Sequence, residues 1–146
     1  MPAARPLALV LVAVLALAAC GGSSKKQTSS GPSAQEQVKS AYVKFFSSAT
    51  PISERMALLQ NGSRFKPVVT SFANNPLAKN VSATVSSVTL EGANKAKVVY
   101  QVKFAGSSLP KQTGTAVRQN GTWKVGDASL CKLIALGGTA PPACKS

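Results

Sequence analysis

The 146-residue sequence contains no histidine and only four acidic residues, against 17 lysines and arginines. Without an imidazole, the chain lacks the usual base of nucleophilic hydrolases and the commonest nitrogen ligand of zinc and haem. Each carboxylate also has a structural explanation, since Glu36, Glu54 and Asp127 lie at predicted helix starts and Glu91 lies in a predicted turn. We therefore expect a protein that is not an enzyme and that holds no metal and no cofactor.

The sequence also lacks an apolar run of roughly 20 residues, the length that a membrane-spanning helix needs. Residues 1–19 instead have the parts of a signal peptide: one positive side chain at Arg5, a shorter apolar stretch, and small residues before Cys20. The sequence LAAC at residues 17–20 resembles the bacterial lipobox. In that motif the cysteine thiol is joined to a diacylglycerol carrying acyl chains such as palmitate, and the leader is cut before it. An ordinary secretory signal with an incidental cysteine is the alternative.

Residues 20–32 predict a lipidated Cys20 followed by a flexible tether. Positions 21–32, GGSSKKQTSSGP, contain no aliphatic or aromatic side chain and are rich in glycine and serine, so they cannot bury enough surface to fold. Lys25 and Lys26 could contact anionic headgroups, or they could serve solubility alone. We expect a lipid-anchored protein on the outer face of the cell membrane, with diacylglyceryl-Cys20 as its contact with the bilayer.

Aromatic residues are scarce, while the formal net charge is +13. In a cytoplasmic protein this charge would favour a nucleic-acid partner. The signal peptide places the chain in another compartment, and the sequence has no aromatic-rich basic cluster for base stacking, so no nucleic-acid partner is expected. Phospholipid headgroups and envelope polymers are the anionic partners outside the cell. The basic residues spread along the whole domain, however, which favours a dispersed, solvated surface without a partner.

Only three cysteines are present. With Cys20 assigned to the lipid, Cys131 and Cys144 form an even pair in an oxidising compartment, which predicts one disulfide.

The remaining residues, 33–146, predict a single domain that begins with helices. Ser33 and Glu36 have the spacing of a capping box, and apolar residues then recur at helical spacing to about Ser48. A second helix is predicted from Pro51 to the Asn61-Gly62 pair, with Met56, Leu58 and Leu59 as its apolar side. A third is predicted over residues 64–73.

From Val81 onward the hydrophobic pattern has period two. Residues 96–104 alternate between an apolar face and a basic face, and they are predicted to pair with residues 81–90, which carry a bulge near Ser86-Ser87. Residues 112–118 and 122–126 form a second hairpin across Asn120-Gly121, and residues 128–136 form a short helix. The fold class is therefore α+β: three N-terminal helices packed on a four-stranded antiparallel sheet, then a short C-terminal helix.

The stretches ALLQNG, FKPVVTSFANNPLAKNVSATVSSVTL and NGTWKVGDASLCKLIAL resemble the mycobacterial low-molecular-weight antigen family of exported actinobacterial proteins. The most specific part is the ending at Gly121–Leu133. The resemblance implies a cone-shaped domain like that of nuclear transport factor two, and it supplies no catalytic residues to transfer.

Two functions are consistent with these features. The first is a non-catalytic binding domain for a small apolar ligand or an envelope protein, with Tyr42, Tyr100 and Trp123 as possible pocket residues. These aromatic side chains could instead only fill the core. The second is a structural or interaction lipoprotein whose basic strand face contacts anionic envelope components.

Overall fold

The computed structural model describes residues 31–145, so the predicted signal peptide, Cys20 and most of the tether lie outside the described residues. Helix α1 spans Ala34–Phe46. Its capping box is present: the Ser33 hydroxyl accepts a hydrogen bond from the Glu36 amide, and the Glu36 carboxylate accepts one from the Ser33 amide. This reciprocal pair satisfies amides that a helix start otherwise leaves free, which explains why the first helix begins where the sequence predicts.

The second helix is shorter than predicted. Helix α2 spans Ile52–Ala57 and ends before Asn61-Gly62. Asn61 has a left-handed backbone conformation, and Gly62 begins a 3₁₀ turn, Gly62–Phe65, that leads into helix α3 at Lys66–Ala73. Only glycine fits at position 62, because a Cβ atom there would lie 1.9 Å from the carbonyl oxygen of Met56.

One curled antiparallel sheet follows the helices. Its strands are β1 (Ser82–Leu90), β2 (Lys95–Phe104), the two-residue β3 (Ser107–Ser108), β4 (Gln112–Gln119) and β5 (Thr122–Val125). The four longer strands form a meander in the order β1-β2-β4-β5, and β3 pairs only with β2. The β1–β2 register shifts between Val85 and Ser87, which confirms the predicted bulge.

The alternation in β2 separates a covered face from an exposed face. Ala96, Val98, Tyr100 and Val102 are buried beneath the helices, whereas Lys95, Lys97 and Lys103 are exposed on the opposite face. Helix α1 packs across the covered face and contacts both β1 and β5. The three N-terminal helices and the four-stranded sheet confirm the predicted α+β class.

The free edge of β5 is covered by the segment that follows α2. The Gln60 amide donates to the Val125 carbonyl at 2.9 Å, and the Val125 amide donates to the Leu58 carbonyl at 2.8 Å. Leu59 therefore forms an isolated parallel bridge with Val125. This pairing protects an exposed sheet edge and fixes the position of α2 relative to the sheet.

The chain ends in helix α4, Asp127–Gly137, and a 3₁₀ turn at Pro142–Cys144. Cys131 and Cys144 form a disulfide, with a Cα–Cα distance of 5.6 Å. Asp127 lies in the first turn of this helix, as its predicted place at the helix start implies, but Gly126 is the cap residue and the Asp127 amide donates to the Gln60 side chain at 3.3 Å. The Asp127 carboxylate instead accepts a hydrogen bond from the Asn61 side chain at 2.9 Å, which links α4 to the segment after α2.

Candidate apolar ligand site

A cavity of about 340 Å³ lies between the covered face of the sheet and helices α1–α4. This volume is at the lower end of the range for small-molecule sites, roughly 300–1,000 Å³. The lining is apolar with one exception, the guanidinium-bearing side chain of Arg55. The lining residues are Phe45, Phe46, Arg55, Val68, Val69, Phe72, Val102, Phe104, Leu109, Leu130, Leu133, Ile134, Leu136 and Gly137.

Burial of the lining residues distinguishes an inner end from a mouth. Phe45, Phe46 and Val69 are buried, and they belong to the hydrophobic core. Near the outer end, Val68 is half-buried and Leu136 is 59% exposed. The apolar recess therefore reaches from the core to an exposed leucine and is open at that end.

Arg55 is the polar group of the inner end. The residue is only 4% exposed, although it carries a charge. Its Nη2 atom donates a hydrogen bond to the Ser47 carbonyl at the end of α1, while its Nε atom is buried without a hydrogen-bond partner among residues 31–145. Within the same range no carboxylate lies close enough for an ion pair with it, since the adjacent Glu54 pairs with Lys44 at 3.8 Å.

Burial lowers the pKa of Arg55 below its ordinary value, because desolvation disfavours the charged form. The guanidinium nevertheless keeps its proton, because arginine is not deprotonated in proteins. A buried charge without a counter-ion is unfavourable, because it loses the hydration that it has in water. The contact with the Ser47 carbonyl offsets part of this cost, because cations interact favourably with a helix C-terminus.

A separate cluster of hydrogen bonds joins α1, β4 and α4. The Tyr42 hydroxyl donates to the Thr115 carbonyl at 2.6 Å and lies 3.2 Å from the Ser129 hydroxyl. The Thr115 amide donates to the Ser129 hydroxyl at 2.7 Å. Gly114 leaves room for these groups, because a Cβ atom there would lie 2.6 Å from the Tyr42 hydroxyl oxygen. This cluster, which we call the Tyr42 cluster, is saturated by protein groups.

Tyr42, Tyr100 and Trp123, the three predicted pocket residues, do not line the cavity. They are 0%, 1% and 4% exposed and lie in the adjoining core. The ring of Phe46, which does line the cavity, stacks on Tyr100 with centroids 5.6 Å apart. Burial raises the pKa of Tyr100 to about 12. The aromatic residues that face the cavity are thus phenylalanines rather than tyrosines.

Arg55 is the site residue that sequence reasoning missed, because the basic residues as a group are predicted to form a solvated surface. The signal was present in the spacing. Ile52, Arg55, Met56 and Leu59 recur at i, i+3, i+4 and i+7, which places the arginine on the apolar face of its helix.

Residues 31–145 offer no group of three or more metal-ligating side chains, and within them no helix is long and apolar enough to span a membrane. A family profile, described as the C-terminal domain of the low molecular weight antigen MTB12, matches residues 31–141. The chain belongs to this family. The MTB12 match includes every element that lines the cavity, and it confirms the family resemblance drawn from the sequence. A search of curated proteins finds no match.

A basic surface lies on the side of the sheet opposite the cavity in this MTB12-family domain. Lys95, Lys97 and Lys103 project from β2 on this face. Lys124 on β5 lies on the same face, because Val117 on β4 pairs with both Lys95 and Lys124. None of the strands contains an aspartate or a glutamate. One lysine is partly neutralised, since Lys95 pairs with Glu91 at 3.9 Å.

Proposed function

We propose that this protein is an exported envelope lipoprotein, anchored through Cys20, whose domain binds an apolar ligand in the cavity without catalysis. The observation that carries the binding function is the cavity itself, an apolar recess of about 340 Å³ with a mouth at Val68 and Leu136. Ligand sites in proteins are mostly apolar recesses with few polar groups, and this lining matches that description. Membership of an antigen family and the lipobox at residues 17–20 support the extracytoplasmic part.

Blocking the mouth tests the binding function. Val68 is a half-buried lining residue on α3, so Val68→Trp would place an indole across the recess. Val43→Trp is the matched control, because Val43 lies on the exposed side of α1 away from the cavity. The probe is dodecanol carrying a photoreactive diazirine in its chain, added to the full chain in nonionic detergent, with the labelled peptides identified by mass spectrometry.

We expect the probe to label peptides that contain lining residues in the wild type and in Val43→Trp. Labelling of those peptides should fall about tenfold or more in Val68→Trp, because the indole occupies part of the volume that the chain needs. Equal labelling of the cavity peptides in all three proteins would contradict the proposal, and so would labelling confined to other parts of the domain.

The basic sheet face supports a second candidate function, contact with anionic envelope components. Its lysines meet no acidic residue on the strands, so the face can attract phospholipid headgroups at a gain of about 1 kcal/mol for each nearby lysine. Flotation with vesicles of phosphatidylglycerol, compared with phosphatidylcholine, tests this function. Lys97→Gln/Lys103→Gln should reduce binding to the anionic vesicles, whereas Lys79→Gln/Lys145→Gln, away from the sheet face, should leave it nearly unchanged.

A further inference from the structure

Arg55 introduces one buried positive charge into an otherwise apolar recess. Its side chain lines the cavity and is only 4% exposed. Its Nε atom has no hydrogen-bond partner within residues 31–145. The nearest carboxylate in sequence, Glu54, pairs with Lys44 instead. A ligand that supplied an anion at this point would neutralise the charge.

We infer that the cavity binds a single-chain amphiphile with an anionic headgroup, whose carboxylate or phosphate pairs with the Arg55 guanidinium. This inference rests on the proposed ligand-binding function and specifies the ligand class. A guanidinium matches both headgroups, because its fork of N–H donors bonds two oxygens of a carboxylate or a phosphate at once. The apolar lining, from Phe46 and Val102 at the inner end to Leu136 at the mouth, contacts the hydrocarbon chain.

The cavity volume favours one short chain over two long ones. A volume of about 340 Å³ is at the lower end of the range for small-molecule sites, which suits one chain better than the two chains of a diacyl lipid. A long chain would extend past the exposed Leu136 side chain. The headgroup then lies at the inner end and the end of the chain lies at the mouth.

A purely structural role for Arg55 makes a different prediction. Its Nη2 contact with the Ser47 carbonyl caps the end of α1, so replacing Arg55 would lower stability whichever ligand is bound. Stability alone therefore cannot separate the two roles. The decisive quantity is the preference of the site for an anionic headgroup over a neutral headgroup on the same chain.

The experiment uses three photoreactive twelve-carbon probes that differ only in their headgroup: a carboxylate, a phosphate and an alcohol. Each is titrated against the full chain in nonionic detergent, and the concentration for half-maximal labelling of the cavity peptides is measured. Three variants are compared with the wild type. Arg55→Met keeps an unbranched side chain without the charge, Arg55→Lys keeps the charge without the fork of N–H donors, and Arg118→Met is the control. Arg118 is exposed and does not line the cavity, so its variant controls for loss of one positive charge.

We expect the wild type and Arg118→Met to bind at least one anionic probe about 10- to 100-fold more tightly than the alcohol, the range for a hydrogen bond to a charged group. Arg55→Met should lose this preference and still bind the alcohol, which also shows that the variant is folded. Arg55→Lys should keep part of the preference. Tighter binding of the carboxylate identifies a fatty acid as the ligand class, and tighter binding of the phosphate identifies a phosphorylated lipid.

Equal half-labelling concentrations for the anionic and neutral probes in the wild type would overturn the inference, whether or not any Arg55 variant folds. Labelling of the cavity by all three probes in that case would leave the apolar binding function intact. Failure of every probe to label the cavity would instead refute the proposed function, so the two failures are distinguishable.

Discussion

The Tyr42 cluster offers a quantitative test of how the sheet is joined to the helices. Replacing Tyr42 by phenylalanine removes one hydroxyl and leaves the ring packing against Tyr100 and Phe46. The Thr115 carbonyl keeps two other donors, the Gly126 amide at 2.8 Å and the Ser129 hydroxyl at 3.2 Å. No buried carbonyl is therefore left without a partner.

The expected loss in the free energy of unfolding follows from this arrangement. A buried neutral hydrogen bond contributes about 1 kcal/mol net, and the larger penalty of an unsatisfied partner does not apply. We therefore expect Tyr42→Phe to lower stability by about 1–1.5 kcal/mol. For a domain of this size that corresponds to a fall in Tm of about 3–6 °C.

Urea unfolding of the full chain, followed by the fluorescence of its single tryptophan, measures this loss. Trp123 is buried on β5, so its emission reports exposure of the core. Tyr100→Phe is the matched control, because the Tyr100 hydroxyl does not belong to the cluster, and its effect should be smaller. The assigned role of the cluster would be refuted if Tyr42→Phe were as stable as the wild type. It would also be refuted if Tyr100→Phe lost more free energy of unfolding than Tyr42→Phe.

The same variant changes the dependence of stability on alkaline pH. Burial raises the pKa of Tyr42 well above its ordinary value of 10.0, so above about pH 10 the unfolded chain releases a proton that the folded chain keeps. The part of the free energy of unfolding that is linked to this pKa shift is therefore fully present below pH 10, and it is lost as the pH rises above 10. The fall should be shallower in Tyr42→Phe. An equally steep fall in both proteins would contradict this assignment.

Three further predictions concern other parts of the chain. Removing the disulfide with Cys131→Ala/Cys144→Ala should lower the free energy of unfolding by about 3 kcal/mol, and unchanged stability would show that the bridge does not constrain the domain. Gly62→Ala should lower the free energy of unfolding by about 1–3 kcal/mol, because its Cβ would meet the Met56 carbonyl oxygen. In the control variant Gly137→Ala, where nothing lies within 4 Å of the added Cβ, stability should be unchanged or higher. Metabolic labelling with radioactive palmitate in a native-type host should mark the wild type and not Cys20→Ala, and equal incorporation would exclude lipidation at Cys20.

Local sequence signals predicted those elements that local interactions determine. The capping box at Ser33 and Glu36 sets the start of α1, and the alternation of residues 96–104 sets which face of β2 is buried. The bulge followed from a change of apolar parity within β1. In each case the residues that carry the signal are also the residues that make the contact.

The parts that the sequence did not predict depend on contacts between distant segments. The end of α2 is set by Leu58 and Gln60, which pair with Val125 on β5, and that pairing has no local signature. Asp127 bonds Asn61, 66 residues away, rather than its own helix. The position of the cavity depends on how four helices meet the sheet, so composition alone could not show that phenylalanines line it or that Arg55 belongs to it.

Occupancy of the cavity by an apolar ligand in the native envelope can be measured directly. The most direct measurement is mass spectrometry of the lipids that co-purify with the full chain from a native-type host, compared with Val68→Trp and Val43→Trp. We predict about one amphiphile per chain in the wild type and in Val43→Trp, and about a tenth of that amount in Val68→Trp. The same lipids in the same amounts from all three proteins, or none from any, would contradict this occupancy.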